Sequence, residues 1–182
     1  KYPSKLLENA VEAIGSLPGV GSRSALRLAL HLLRQPKENV HHFTSAINSL
    51  ADEVRYCREC MMISDDDVCS ICSDRTRDHS VICVVENVRD VMSIEATGQY
   101  RGTYHVLGGI ISPINGIAPS DLTIRQLAER LQGGKISEVI LALSGDVEGE
   151  TTSFYIYRRT CRYDEYVFFD HESHESNESF TL

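Results

Sequence analysis

The sequence predicts an α/β protein of several modules: an N-terminal helical hairpin, a small four-cysteine segment, and an α/β domain with a mainly parallel sheet. Three observations carry this expectation. Apolar residues over the first 56 positions recur at helical spacing, residues 57–79 trade large apolar side chains for Cys, Asp and Ser, and from residue 80 short apolar runs alternate with helix-spaced segments. The 182 residues suffice for one ordinary domain or for two or three small modules.

The first helix is read from Leu6, Leu7, Ala10, Val11 and Ile14, with Ser4 as N-cap and Gly15 as stop. A second runs over 22–34. A third, over 40–56, carries Phe43, Ile47, Leu50 and Val54 on one stripe. From residue 80 the expected order is a buried strand at 80–86, a helix at 88–97, a short strand at 103–107, a helix at 123–132 opened by a Thr123/Gln126 capping box, and a buried strand at 138–144. This alternation predicts βαβ units.

Hydrophobic residues are 42% and charged residues 24%, close to an ordinary water-soluble composition, and no apolar run reaches the ~18 residues of a membrane span. No basic leader precedes an apolar segment, so the expected location is the cytoplasm. The net charge of −8 argues against a surface coated for nucleic acid, and any DNA site must be a local patch. Residues 1–60 hold eight Lys/Arg against six acids, whereas residues 160–182 hold one Arg against six acids. The first module is therefore the place for such a patch.

Between the first two helices lies Leu17-Pro18-Gly19-Val20-Gly21, followed by Ser22-Arg23-Ser24-Ala25. Two glycines permit a tight turn, and the next helix begins with free N–H groups pointing outward, which suits a phosphate. At ~100° per residue Arg23, Arg27 and Arg34 fall within ~40° of one another, with Leu26, Ala29, Leu30 and Leu33 left for the interior. The competing readings are an ordinary Pro-Gly turn and a solvated charged face.

Cys57-x-x-Cys60 and Cys69-x-x-Cys72 stand eight residues apart. Each pair brings two thiolates to one ion from a single turn, and two pairs complete a closed tetrahedral zinc site that holds structure and leaves no position for a catalytic water. Disulfides and a redox C-x-x-C are the rivals, without a secretory or redox-fold cue. Cys83 and Cys161 read as ordinary thiols, and His79 as a surface residue with a position beside the ligands as the alternative. One structural zinc per chain is expected.

Glu86 ends one predicted strand, and Asp146, Glu148 and Glu150 follow another, so acids gather where parallel strands end and ligands usually bind. With Asp90 they form a candidate site for weak Mg²⁺ binding or for docking a partner; the competing reading is a solvated acidic loop. Gly133-Gly134-Lys135 does not complete a phosphate loop, and no nucleophile with its base can be nominated.

On these residues the chain resembles the bacterial RecR recombination mediators. LPGVGSRSALRLALHLL is similar to their helix-hairpin-helix, YPSKLLENAVEAIGSLPG to their opening segment, and the four cysteines, EATGQYRG, YHVLGG and VEGETTSFYIYR to further markers over residues 1–159. ICVVENVRD with the later acidic loop is similar to a Toprim domain, although Glu148-Gly149-Glu150 replaces the Toprim Asp-x-Asp. The resemblance implies a helix-hairpin-helix module at 1–56, a four-cysteine zinc finger at 57–79 and a Toprim-like domain at 80–159. It also implies DNA binding through Arg23 and Arg27, with Arg34, Gly19 and Gly21 in support. Further implications are sequence-independent contact with DNA, a dimer or ring tetramer, RecO and RecF as partners, no membrane, and promotion of recombinase loading on gapped DNA in repair, without catalysis. The alternative is a small Toprim metal-dependent nuclease. Residues 160–182 do not match the family, as after a frame change, and are expected to form a partly disordered acidic tail that fails to complete the sheet.

Overall fold

A computed structural model describes residues 2–133, 136–160 and the backbone of 167–170. The chain divides into two compact units, Lys1–Glu53 and Val54–Leu182.

In the first unit α1 (Lys5–Gly15) packs against α2 (Ser22–Arg34), and α3 (Lys37–Glu53) follows. Val11, Ala25 and Ala29 are buried at the centre, with Tyr2, Leu7, Ile14, Val20 and Leu26 around them. Small residues let the helices approach, since a Cβ on Gly15 would lie 3.6 Å from that of Ala25. Several expectations are corrected here. Ser4 occupies the N-cap position, but its hydroxyl makes no capping bond. Leu6 and Leu33 are exposed, and Ala25 takes the interior place expected of Leu33. The third helix begins after Pro36, whose fixed φ suits a first turn, and ends three residues earlier than expected because residues 55 and 56 enter a strand. Its stripe of Phe43, Ile47 and Leu50 is exposed, and α3 contributes no buried residue.

The second unit begins with a two-stranded antiparallel ribbon, β1 (Arg55–Tyr56) and β2 (Ile63–Ser64), and the short α4 (Ser70–Ser73). It continues with β3 (Asp78–Val85), α5 (Val88–Thr97), β4 (Gly102–Val106), a 3-10 turn (Pro119–Asp121), α6 (Ile124–Leu131), β5 (Glu138–Ala142), α7 (Val147–Thr160) and β6 (Val167–Asp170). The strand order is β4-β3-β5-β6 and every pairing is parallel, as the alternating pattern predicts. Successive β3 side chains point to opposite faces. Ile82 and Val84 join Leu127 and Leu131 of α6 and Ile156 of α7, whereas Cys83 and Val85 join Val91 of α5 together with Met62 and Ile71 of the cysteine segment.

Two expectations in this unit fail. The Thr123/Gln126 capping box does not form, because the Thr123 hydroxyl donates to the Val106 carbonyl (2.7 Å) and also bonds the His105 ring (3.0 Å). The sheet does gain a strand from the tail: Val167–Asp170 pairs with β5 in parallel register, Glu138 opposite Val167 through Leu141 opposite Asp170. An apolar Val-Phe-Phe run is well suited to an otherwise unpaired strand edge, whatever the acidity around it. Cys161, Gly134, Lys135 and the acidic segment 171–182 lie outside the described residues.

Candidate DNA hairpin and metal centre

In the first unit the link between α1 and α2 needs Gly19, whose φ of +80° is left-handed. The Val20 N–H bonds the Leu17 carbonyl at 3.1 Å and closes the turn. Gly21 is the N-cap of α2; it has no side chain to cap with, and the first turn carries no acid. The helix therefore starts with donors and a partial positive charge facing outward. Arg23 and Arg27 are exposed one turn apart behind that start, and Arg34 is exposed near the end of the helix. These five residues thus share one loop and one helix, an arrangement that suits successive phosphates of a nucleic-acid backbone.

In the second unit Cys57 and Cys60 lie in the turn joining β1 to β2, and Cys69 and Cys72 at the start of α4. All four are buried, with their sulfurs within 4.8 Å of one another. Local bonds shape both turns. Met61 donates to the Cys57 carbonyl at 2.9 Å with a φ of 62°, and Cys57 donates to the Met62 carbonyl at 2.7 Å. The Cys69 N–H points to the Cys57 sulfur (3.3 Å) and the Cys72 N–H to the Cys69 sulfur (3.4 Å). Such bonds favour a thiolate. Hydrogen bonds from Cys60 and Cys72 pull the Cys69 thiol far below its ordinary range, and the same bonds push Cys60 and Cys72 up.

Four converging sulfurs, packed against Met62, Val68 and Ile71, fit a tetrahedral zinc ion, which would neutralise all of them together. Bound there, the metal would supply cross-linking to a segment that lacks its own core. His79 is exposed and bonds the Asp74 carbonyl at 2.8 Å instead of a cysteine, which agrees with a surface role. Cys83 is buried in β3, and burial pushes its thiol up to about 12, so it stays protonated and inert.

The cysteine module and the sheet share contacts that sequence reasoning misses. Val106 of β4 donates to the Cys60 carbonyl at 2.8 Å. Beside it His105 is fully buried, and its Nε2 faces the Thr123 carbonyl (3.1 Å) and hydroxyl (3.0 Å). The hydroxyl proton goes to Val106, so both neighbours accept and the Nε2–H tautomer is assigned. Nδ1 is left buried without a hydrogen-bond partner, and desolvation lowers the ring to about 4.

At the strand ends the structure holds the acids separately. Glu86 accepts the Ser144 N–H at 2.6 Å, tying the exit of β3 to that of β5. Asp90 accepts the Asn87 N–H at 2.9 Å within a capping box of α5. Glu148 accepts from the Ser112 hydroxyl at 2.6 Å, and Glu150 is exposed. Asp146 accepts from Gly149 N–H (2.8 Å), which lowers its carboxyl. Gly149 is obligatory there, since a Cβ would overlap the Ser144 carbonyl. Among the described residues the four cysteines form the group of three or more ligating side chains close enough for one ion. Glu86, Asp90 and Glu148 each hold a hydrogen bond of their own.

Residues 7–51 match the family model of the RecR helix-hairpin-helix, residues 54–74 that of the RecR zinc finger domain with four cysteines, and residues 80–167 that of the Toprim domain. The chain is 58% identical over 159 residues to the recombination protein RecR of Porphyromonas gingivalis, covering 87% of this chain and 77% of that protein. It is 56% identical over 164 residues to RecR of Parabacteroides distasonis, covering 90% and 79%, and 52% identical over 159 residues to RecR of Flavobacterium johnsoniae, covering 87% and 77%.

Proposed function

The chain belongs to the RecR family of recombination proteins, and from that premise we propose that it is a DNA-binding mediator of recombinational repair that grips the phosphate backbone without cutting it. The observation that supports this most directly is the pair Arg23 and Arg27, exposed one turn apart behind a helix start that Gly21 leaves uncapped. Phosphate contacts of this kind carry no base information, so binding is independent of sequence and weakens steeply as salt rises.

Acting with RecO and RecF, the protein promotes recombinase loading on gapped single-stranded DNA in the cytoplasm. Among the described residues no helix is long and apolar enough to cross a membrane. The chain self-associates as a dimer or ring tetramer. Glu148 and Glu150, with Glu86 and Asp90, form an acidic rim that repels phosphate and attracts a basic surface on RecO. Their separate hydrogen bonds favour docking over the Mg²⁺ chemistry of a Toprim nuclease.

Fluorescence anisotropy with unrelated duplex and gapped DNAs over a salt series tests the binding, with equal affinities and a steep salt slope expected. Supercoiled plasmid incubated with the protein and Mg²⁺ or Mn²⁺ should remain intact. Nicking that co-purifies with the chain and disappears on Glu86→Gln would replace the mediator with a nuclease.

A further inference from the structure

We propose that one DNA strand runs the length of α2, from the Gly19–Gly21 turn to Arg34, and that His31, held by Gln35, supplies the phosphate contact between Arg27 and Arg34. The inference rests on the DNA binding proposed above and adds to it the course of the strand and a further binding residue.

Four side chains form a ladder on the helix. Arg23, Arg27 and His31 follow one another in steps of four residues, each about 6 Å along the axis, and Arg34 comes three residues later. At ~100° per residue His31 lies ~40° from Arg27 and ~60° from Arg34 around the helix, so all four share one side. All four are exposed, whereas Ala25 and Ala29 are buried on the other side with Val11 of α1. No acid interrupts the row, because SRSALRLALHLLR contains neither Asp nor Glu. Elsewhere Arg55 pairs with Asp67, Arg77 with Glu95 and Arg125 with Glu129, but Arg23, Arg27 and Arg34 have no ion pair among the described residues. Like charges four residues apart weaken a helix, and a face meant only for solvent usually mixes the two signs. An anion lying along the row removes that repulsion.

His31 joins the ladder through its partner. The Gln35 side-chain nitrogen lies 3.4 Å from His31 Nε2, one turn further on. An amide nitrogen only donates, so Nε2 accepts and the ring proton is assigned to Nδ1. The Nδ1–H is then a donor without a partner among the described residues, and a phosphate oxygen, which only accepts, satisfies it. Gln35 acts as a positioning residue that fixes which ring nitrogen donates. Arg23 to Arg34 span about 16 Å, too far for one small anion but suited to successive phosphates of one strand, and the uncapped start of α2 lies at the head of the row.

The test measures binding of the full chain to fluorescent single-stranded and duplex DNA by anisotropy over a salt series, with circular dichroism as the check on folding. His31→Leu should weaken binding roughly 2- to 10-fold, the scale of one hydrogen bond. His31→Arg should tighten it and steepen the salt slope by up to about one unit. His31→Glu should weaken it more than Asn48→Glu, which places the same charge at an exposed position of α3. Gln35→Leu should weaken binding in the parent but have no further effect in His31→Leu, a coupling that a merely structural role would not produce. Parental affinity in both His31→Leu and His31→Arg, equal effects of the two Glu variants, or a Gln35→Leu effect that persists without His31 overturns the inference. If any of these occurs while reversal of Arg23 and Arg27 still abolishes binding, the DNA role of the hairpin stands and only the extended ladder falls.

Discussion

Arg77 and Glu95 form a two-pronged ion pair, Nη1 to Oε1 at 3.0 Å and Nη2 to Oε2 at 2.5 Å, that ties the end of the cysteine segment to helix α5. Arg77 also bonds the Gly102 carbonyl at 3.1 Å, and the Tyr104 hydroxyl donates to Glu95 at 2.6 Å. The guanidinium, held chiefly by this bond to Glu95, gains basicity, and the same bond keeps the Glu95 carboxyl below its usual range. The geometry is the forked one that arginine alone provides.

Glu95→Gln should therefore lower stability by about 1.5–3 kcal/mol, the scale of a hydrogen bond to a charged group, and Arg77→Lys should recover only part of the parental value. Urea denaturation of both variants measures this. The folded carboxyl is depressed, so its contribution is present above its unfolded pKa and disappears as pH falls through the folded one; Glu95→Gln should lose that part of the acid dependence. Equal stability of parent and Gln variant at neutral pH would contradict the role.

Zinc should be found at about one ion per chain after purification without chelator, motivated by the four buried sulfurs. Cys57→Ser removes a ligand and the acceptor of the Cys69 N–H, so metal content should fall and amide exchange should quicken over residues 57–79. Unchanged metal content in that variant would rule out the four-sulfur site.

Reversing Arg23 and Arg27 to Glu should nearly abolish DNA binding while circular dichroism and zinc content stay unchanged, because both side chains are exposed. Arg34→Glu, nearly two turns beyond Arg27, should cost less. Neutral Gln at both positions should weaken binding and flatten the salt slope by about two, one unit per lost phosphate contact. A double reversal that binds like the parent removes the hairpin from the DNA surface.

His105 should make the second unit sensitive to mild acid. Its folded pKa of about 4 lies below the ordinary 6.5, so the folded state is fully favoured above the higher value and loses stability as pH falls towards the lower. The accumulated loss approaches about 3 kcal/mol at pH 4. His105→Asn should be less stable at pH 7.5 but flatter between pH 7 and 5, with zinc release followed in parallel to separate cysteine protonation. A variant with the parental slope would assign the acid response to other groups.

What the sequence by itself determined is whatever chemistry closes within a few residues. Two C-x-x-C pairs bring four sulfurs together because each pair needs a single turn, and the Gly19–Gly21 link with α2 follows from glycine conformational freedom and helical periodicity. The alternation after residue 80 implied a parallel sheet for the same reason, since period 2 and period 3.6 are local properties. Tertiary structure decided the contacts between segments. Thr123 looked like a helix cap, yet its hydroxyl serves β4 and His105, because a buried strand carbonyl and ring nitrogen need partners more than an accessible helix end does. Glu148 reads in the sequence as one of several acids at the strand ends, and only the fold gives it the Ser112 hydroxyl, 36 residues away, as a donor. Val167–Asp170 stood in a segment too acidic to read as sheet, and only the open edge of β5, formed once the chain has crossed back twice, makes a strand there favourable.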